Sequence, residues 1–513
     1  TVAVFEPVQI PFRQPDRTLI DGRPLKFDVF SNEGVRDGRV YVILLDDYHV
    51  GALRGNLVKR AAREFVEKHV AANDLVAVIH ASGRSNASQE FTSNKELLLA
   101  SIDKFMGMKI RSALLERLDD YRNRVEFMNA MRSESDSDTR RDKALDMLDP
   151  QRAYNARSSM DTLRNISRVL DTVNGSRKAV LFYSEGIDYN IVDVMGADTG
   201  ARHATDVLYS VRDAIGAATR SNVAYYTIDP RGLSAMSDDE MDIQASPQDV
   251  TLGLNSWNLR DEQRLAQMNL MSLAEETGGA ASVNSNDFSR IYDRIVRDSS
   301  SYYLLGYYPT DERRNGSIRR IQVKVDRKGV KVFARKAYQA PKNRDEKKIT
   351  ESATGTSPEV KAVLNAALPT PGLSLSVNAV PFKGANKKTS VAVTVQVDGD
   401  KLALRETGDT FTNALEISMM AMDFSGKVPD GDRANLELKL RRQTRDLMVQ
   451  SGIRSVTTLD LPPGRYQLRV GAREANNGAV GSVFMDLDVP DFSVPFSMSG
   501  LLLSSSAAGL TPT

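Results

Sequence analysis

Val40–Val50 reads VYVILLDDYHV, an unbroken apolar and aromatic run that ends in two carboxylates, a tyrosine and a histidine. Such a run is the pattern of a strand buried on both faces, as central strands of parallel sheets are. Open α/β sheets bind their ligands at the carboxyl ends of these strands. Asp46, Asp47 and His49 are therefore the first candidates for a functional site. Two plainer roles compete with that one. A carboxylate at a strand's end often caps a nearby loop or helix N-terminus, and His49 alone reads as a hydrogen-bonding loop residue.

Outward from this stretch, strands and helices alternate from Arg39 to about Tyr308. Leu75–His80, Lys178–Tyr183 (KAVLFY), Val223–Ile228 and Ala280–Val283 read as further strands. Amphipathic helices are expected between them at about 56–70, 160–173, 201–220 and 262–276. This alternation predicts parallel pairing through right-handed crossovers, and so a doubly wound, mostly parallel α/β sheet with flanking helices. Residues 117–157 are charge-dense and read as a solvated helical insertion. After Ser301 the period changes. Tyr302–Tyr308 reads as a strand, and Ile321–Val325 with Val330–Ala334 as an antiparallel hairpin, so that about 301–338 closes the same domain.

These patterns predict an N-terminal arm over 1–35, an α/β domain over 36–340 and a linker over 341–360. A β-sandwich follows over 361–490, and then a tail, 491–513, that reads as truncated. The sandwich region holds short strands separated by Gly, Pro and Asp turns, with one amphipathic exception within Asn435–Val449.

The 513 residues carry a formal net charge of +1, which argues against nucleic-acid binding by bulk electrostatics. With no cysteine, disulfides, thiolate zinc sites and cysteine nucleophiles are excluded. No apolar run approaches the ~20 residues a transmembrane helix needs. The first residue is Thr1, which reads either as an N-terminus left after signal-peptide removal or as a sequence that starts late. Neither a Gly-x-Ser-x-Gly elbow, a P-loop nor a Gly-x-Gly-x-x-Gly fingerprint occurs.

Several segments together resemble a known family. LLDDYHV, FTSNKELLLASIDKF, RKAVLFYSEGID, NVAYYTIDPRGL, LAEETGGAASVN, IVRDSSSYYLLGYYPTD and IQVKVDRKGVKVFARKAY lie in order over about residues 39–340. They resemble bacterial von Willebrand factor type A (vWA)-related proteins, abundant in acidobacteria. LDLPPGRYQLRV and GSVFMDLDVPDFS are similar to the module that follows the vWA-like domain in part of that family. The resemblance implies a six-stranded Rossmann-like sheet followed by an Ig-like or fibronectin-like sandwich. It further implies export to the periplasm, outer surface or medium, and adhesion-type binding of protein partners, self-association included, rather than catalysis.

The resemblance also implies a metal-ion-dependent adhesion site, in which Asp-x-Ser-x-Ser, a Thr and a later Asp hold a hard cation that a partner's carboxylate completes. Here Asp46 matches the first Asp, but Tyr48 and Val50 stand where the serines belong. Ser112 falls near the Thr, and Glu185 or Asp188 near the last Asp. The site is thus degenerate. Its candidate ligands are Asp46, Asp47, His49, Ser112, Glu185 and Asp188, for Mg²⁺, Mn²⁺ or Ca²⁺ if any ion binds, with His49 better suited to a transition metal. Tyr48, Tyr303 and Tyr307 are candidates for an interaction surface. Two alternatives stay open: a metal-independent structural or assembly component, and a metal-dependent hydrolase. The second has Asp46 as nucleophile, but Tyr48 replaces the general acid of an Asp-x-Asp phosphatase motif.

Overall fold

The computed structural model describes residues 2–11, 19–20, 23–24, 29–33, 38–130, 148–173, 177–187, 189, 203–232, 256–309, 313, 317–330, 332–334, 337–340, 355–385, 388–423, 425–494 and 496–502. Asp188, the centre of the charged insertion, most of the 341–360 linker and the end of the tail lie outside them. The chain forms two compact units. One comprises Thr1–Phe12, Arg39–Val70 and Asp74–Arg344; the other comprises Arg13–Gly38, Ala71–Asn73 and Asp345–Thr513.

The first unit begins with strand β1 (Val2–Gln9), whereas β2 (Val29–Ser31) belongs to the second unit. The central sheet then uses β3 (Val40–Leu45), β4 (Leu75–His80), β5 (Gln89–Thr92), β6 (Lys178–Tyr183), β7 (Val223–Ile228) and β8 (Ala280–Ser282). Their spatial order is β8-β7-β6-β3-β4-β5. All neighbours pair in parallel except β5, which runs antiparallel on β4 at the edge. The strand order reverses between β3 and β6, and that is where doubly wound sheets open a crevice.

Alternation along β3 sends Tyr41, Ile43 and Leu45 to one face. There they pack with Val58, Ala61 and Phe65 of helix α1 (Gly55–His69) and Leu98 and Ile102 of α2 (Lys95–Asp103). Between β5 and β6 the chain adds α3 (Ala113–Ala130) and α4 (Asp149–Leu170), with α5 (Ala204–Arg220) after β6. On the opposite face, the Tyr225 hydroxyl of β7 bonds the Leu163 and Ala214 carbonyls, which ties α4 and α5 to the sheet. Helix α6 (Ser256–Thr277) precedes β8, and α7 (Ser289–Ser300) adds Ile291, Tyr292 and Ile295 to the first face.

Where β3 and β4 begin, Arg39 makes a buried two-pronged ion pair with Asp74, Nε to Oδ1 at 2.9 Å and Nη2 to Oδ2 at 2.5 Å. Strand β9 (Ser301–Tyr307) pairs antiparallel with β1, at the start of the chain, rather than with the expected hairpin. That hairpin is reduced to its base: β10 (Ile318–Arg320) pairs with β11 (Ala337–Gln339). The described residues between them form no ladder, although Ile321, Val323 and Val325 alternate as a strand would. Period two is necessary for a half-buried strand, but it supplies neither a partner nor a face to bury.

The second unit opens with α8 (Pro358–Leu364), capped by the Ser357 hydroxyl. One antiparallel sheet has the order β17-β13-β12-β2, with β12 (Leu375–Lys383), β13 (Thr389–Val397) and β17 (Ile453–Leu461). The other holds β14 (Arg405–Thr407), β15 (Thr410–Asp423), β16 (Asp430–Arg441), β18 (Gly464–Glu474) and β19 (Val480–Val489). Val377, Val393 and Leu459 of the first and Leu415, Ile417 and Val470 of the second share one core. The amphipathic segment Asn435–Val449 divides into the end of β16 and helix α9 (Arg442–Ser451).

Candidate functional site

Parallel pairing carries each central strand one residue past its end. Asp46 N–H bonds Tyr183 O at 3.0 Å, Ser184 N–H bonds Ile228 O at 3.1 Å and Asp229 N–H bonds Ser282 O at 2.9 Å. Asp46, Ser184 and Asp229 thus form a row across the carboxyl edge, with Asp46 and Ser184 on either side of the strand-order reversal.

Asp46 is fully buried and its carboxylate is surrounded by donors. Ser159 Oγ, from α4, donates to Oδ1 at 2.8 Å, and Ser184 Oγ donates to Oδ2 at 2.6 Å. His49 Nδ1 lies 3.1 Å from Oδ1 and 2.9 Å from Oδ2. Burial alone would raise the pKa of this carboxyl, but the charge and hydrogen bond of His49, then the two hydroxyls, outweigh it and hold Asp46 below the ordinary value. An ionised carboxylate only accepts, so Nδ1 carries the imidazole proton here.

Its neighbours turn elsewhere. Asp47 accepts from the Ser82 amide at 2.8 Å and from the Ser82 hydroxyl, with Arg84 Nε 3.7 Å away. Burial dominates there and raises the Asp47 carboxyl. Tyr48 stacks edge-on against Tyr154 at 6.4 Å between centroids, and Val50 is buried in the core. Glu185 is nearly inaccessible, and it accepts from Arg54 Nη1 at 2.9 Å, Lys109 Nζ at 3.2 Å and the Gly51 amide at 3.0 Å. Against the cost of burial, Lys109, Arg54 and Arg231 pull its carboxyl down to about 2. Arg231 itself clamps Asp229 and reaches the Glu185 carbonyl at 2.8 Å.

The structure thus gathers Asp46, Asp47, His49 and Glu185 at one end of the sheet. Ser112 has a different task. Its hydroxyl accepts from Leu114 N–H at the start of α3 and donates to Glu262 at 2.7 Å. Tyr303 and Tyr307 lie exposed on β9, not in the polar row. Sequence reading missed Ser159, Ser82, Arg54 and Lys109. Ser184 was visible as the polar residue ending a buried strand, but Ser159 sits in mid-helix with nothing local to mark it.

A hard cation wants about six oxygens. Of the Asp-x-Ser-x-Ser positions only Asp46 offers one, and both its oxygens already take protons from Ser159, Ser184 and His49. Asp47 and Glu185 each have their own partners, and among the described residues no three His, Asp or Glu side chains are grouped to share an ion. Among the described residues, which do not include Asp188, the arrangement therefore does not fit a resident divalent cation. It does not form a nucleophilic triad either. A triad needs the serine on the imidazole nitrogen opposite the carboxylate, whereas buried Ser159 gives its proton to Asp46 and lies 3.3 Å from the same Nδ1.

No family model matches this chain, and no curated protein matches it. Among solved structures, part of the chain is similar to a Bacteroides fragilis protein assigned as a beta-galactosidase, at 18% identity, over 23% of this chain and 16% of that one, with a TM-score of 0.16. Likeness at that level carries no argument about fold or activity. Among the described residues no helix is long and apolar enough to cross a membrane.

Proposed function

We propose that this chain is a non-enzymatic, exported binding protein. Its first unit is a vWA-like domain whose degenerate adhesion site works without a cation, and its second unit is an Ig-like spacer or second contact. The observation that carries this reading is the closure of Asp46: a fully buried carboxylate at the strand-order reversal, with three internal donors on it. The order β8-β7-β6-β3-β4-β5 with one antiparallel edge strand supports the vWA-like assignment. Partners would be proteins gripped by the rim rather than through a bridging ion. Leu53, at 78% exposed, and Met106, at 63%, stand beside Arg54 and Lys109 there, an apolar and cationic mixture that suits a protein contact. The rim loop is held close by Met108 N–H to Asp47 O at 2.7 Å and Lys109 N–H to Val50 O at 3.1 Å.

The test is thermal unfolding of the EDTA-treated chain with added Mg²⁺, Mn²⁺ or Ca²⁺, beside Asp46→Ala. An ion bound only by the native state at ~100 times its Kd would add about 2.7 kcal/mol. The expected result is no shift with any ion, together with marked destabilisation in Asp46→Ala. An ion-dependent shift that Asp46→Ala abolishes would overturn the cation-free reading. Phosphoester turnover lost in Asp46→Ala would instead favour the hydrolase.

A further inference from the structure

The β1–β9 ribbon stands apart from the central sheet and has one open edge. Ile10 N–H bonds Ser300 O at 2.8 Å, and the register pairs Val8 with Tyr302, Pro7 with Tyr303, Glu6 with Leu304 and Phe5 with Leu305. Antiparallel ladders alternate bonded and non-bonded pairs. The Ile10–Ser300 bond therefore places Val8–Tyr302 and Glu6–Leu304 in bonded pairs. Pro7, Phe5, Tyr303 and Leu305 then direct their backbone groups outward. Pro7 has no N–H to offer on that side, which blunts the outer edge of β1. Nothing blunts β9. Tyr303 and Leu305 present amides and carbonyls outward, and no hydrogen bond to them is recorded among the described residues.

The faces differ as well. Tyr302 points to the body of the unit, where its hydroxyl accepts from Arg177 N–H at 3.1 Å. Tyr303, 67% exposed, stacks on Phe5, 65% exposed, at 5.1 Å on the other face. A two-stranded ribbon with an exposed aromatic face is marginal in water, while three or four strands are not.

Charge selects the occupant. Ser301–Tyr308 (SYYLLGYY) holds no charged residue. Among the described residues, the unladdered strand-like stretch 321–330 carries Lys324, Asp326, Arg327 and Lys328, and edge strand β16 carries Asp432, Arg433, Glu437 and Lys439. Only a strand as neutral as β9 lies against it without leaving unmatched charge beside an apolar face. We propose that the open edge of β9 pairs, antiparallel about a twofold axis, with β9 of a second copy of this chain. A register centred on Leu304 sets Tyr303 opposite Leu305 twice over, an aromatic–aliphatic pair of the stabilising kind. The product is a continuous four-stranded sheet, β1-β9-β9-β1. It is closed as a dimer because Pro7 blunts both outer edges.

This surface is separate from the Asp46 row, so failure here leaves the proposed function standing. The test is sedimentation velocity of the full chain over a range of concentrations, for wild type, Leu305→Pro and Tyr303→Lys. Leu305→Pro removes one outward N–H at the kind of position where Pro7 is already accommodated, and Tyr303→Lys places a charge on the edge while keeping every backbone group. The expected result is a wild-type dimer and loss of the dimer in both variants, with native circular dichroism retained. A wild-type monomer at every concentration, a dimer that survives both substitutions, or open-ended polymers would each overturn the proposal.

Discussion

Asp46 stays ionised in a dry site because its neighbours supply protons and positive charge that water would otherwise supply. Glu185 follows the same rule, down to about 2 from an ordinary 4.5. A carboxyl depressed by folding contributes stability that is complete above its unfolded value. The Glu185 contribution, about 3 kcal/mol, is therefore lost as pH falls from 4.5 towards 2. His80 gives an earlier window. Burial, then the charge of Arg84, lowers it from 6.5 to about 4. The unfolded chain takes up this proton below pH 6.5, whereas the native chain resists until about pH 4. Stability falls over that interval by about 3 kcal/mol. Denaturant titrations at pH 7 and pH 4.5 should show a smaller difference between the two pH values in His80→Leu than in wild type. An unchanged difference would mean that His80 does not set the early acid limb.

At the scale of elements, the parallel strands were legible because β3, β6 and β7 are buried on both faces and are apolar or aromatic at all positions but Lys178 and Thr227. Helix α5 was legible as the amphipathic stretch at about 201–220. What local pattern could not supply was partnership. Val2–Gln9 read as an arm because its partner lies at Ser301–Tyr307, and Asn435–Leu440 read towards helix although Leu436, Leu438 and Leu440 alternate along β16 against β15. The site shows the same division. Asp46, Asp47, His49 and Glu185 were visible at strand ends, whereas Ser159 reaches Asp46 across 113 positions of chain. Arg39–Asp74 was missed for the same reason, and it locks the starts of β3 and β4 together. Asp74→Ala leaves the Arg39 guanidinium buried without its carboxylate, and the expected cost is about 3–5 kcal/mol in chemical denaturation. The double change Arg39→Met with Asp74→Leu should recover most of that loss. No recovery would mean that the side-chain geometry, rather than the stranded charge, matters at this position.

Over the whole molecule the chain does not finish one unit before starting the other. It leaves β1 in the first unit, contributes β2 to the second, and returns at Arg39 to build the central sheet. The edge of that four-stranded sheet is therefore supplied by residues far upstream of the three strands it joins, the first of which begins at Leu375. Val29–Ser31 adds to β12, and Asn32 fastens the end of that pairing. The Asn32 side chain donates to Thr370 O at 2.8 Å and Leu373 O at 2.7 Å, and accepts from Leu375 N–H at 2.9 Å. One 1%-exposed amide thus bonds three backbone groups, of which Thr370 O also accepts from Ser482 N–H at 2.8 Å. Nothing in the sequence marked it, because an asparagine in an N-terminal arm reads as a turn residue. Asn32→Ala strands Leu373 O and the Leu375 amide and leaves Thr370 O with Ser482 N–H alone, and leaving buried polar groups unpaired costs about 1–3 kcal/mol. The expected outcome is a loss of that size in the second unit, with the Leu375 amide exchanging with solvent much faster than in wild type. Asn32→Asp keeps the acceptor for Leu375 but removes both donors, so it should slow that exchange again without restoring full stability. If Leu375 exchanges at the wild-type rate in Asn32→Ala, the early segment is not what closes this edge, and β12 must be held by the second unit's hydrophobic core alone.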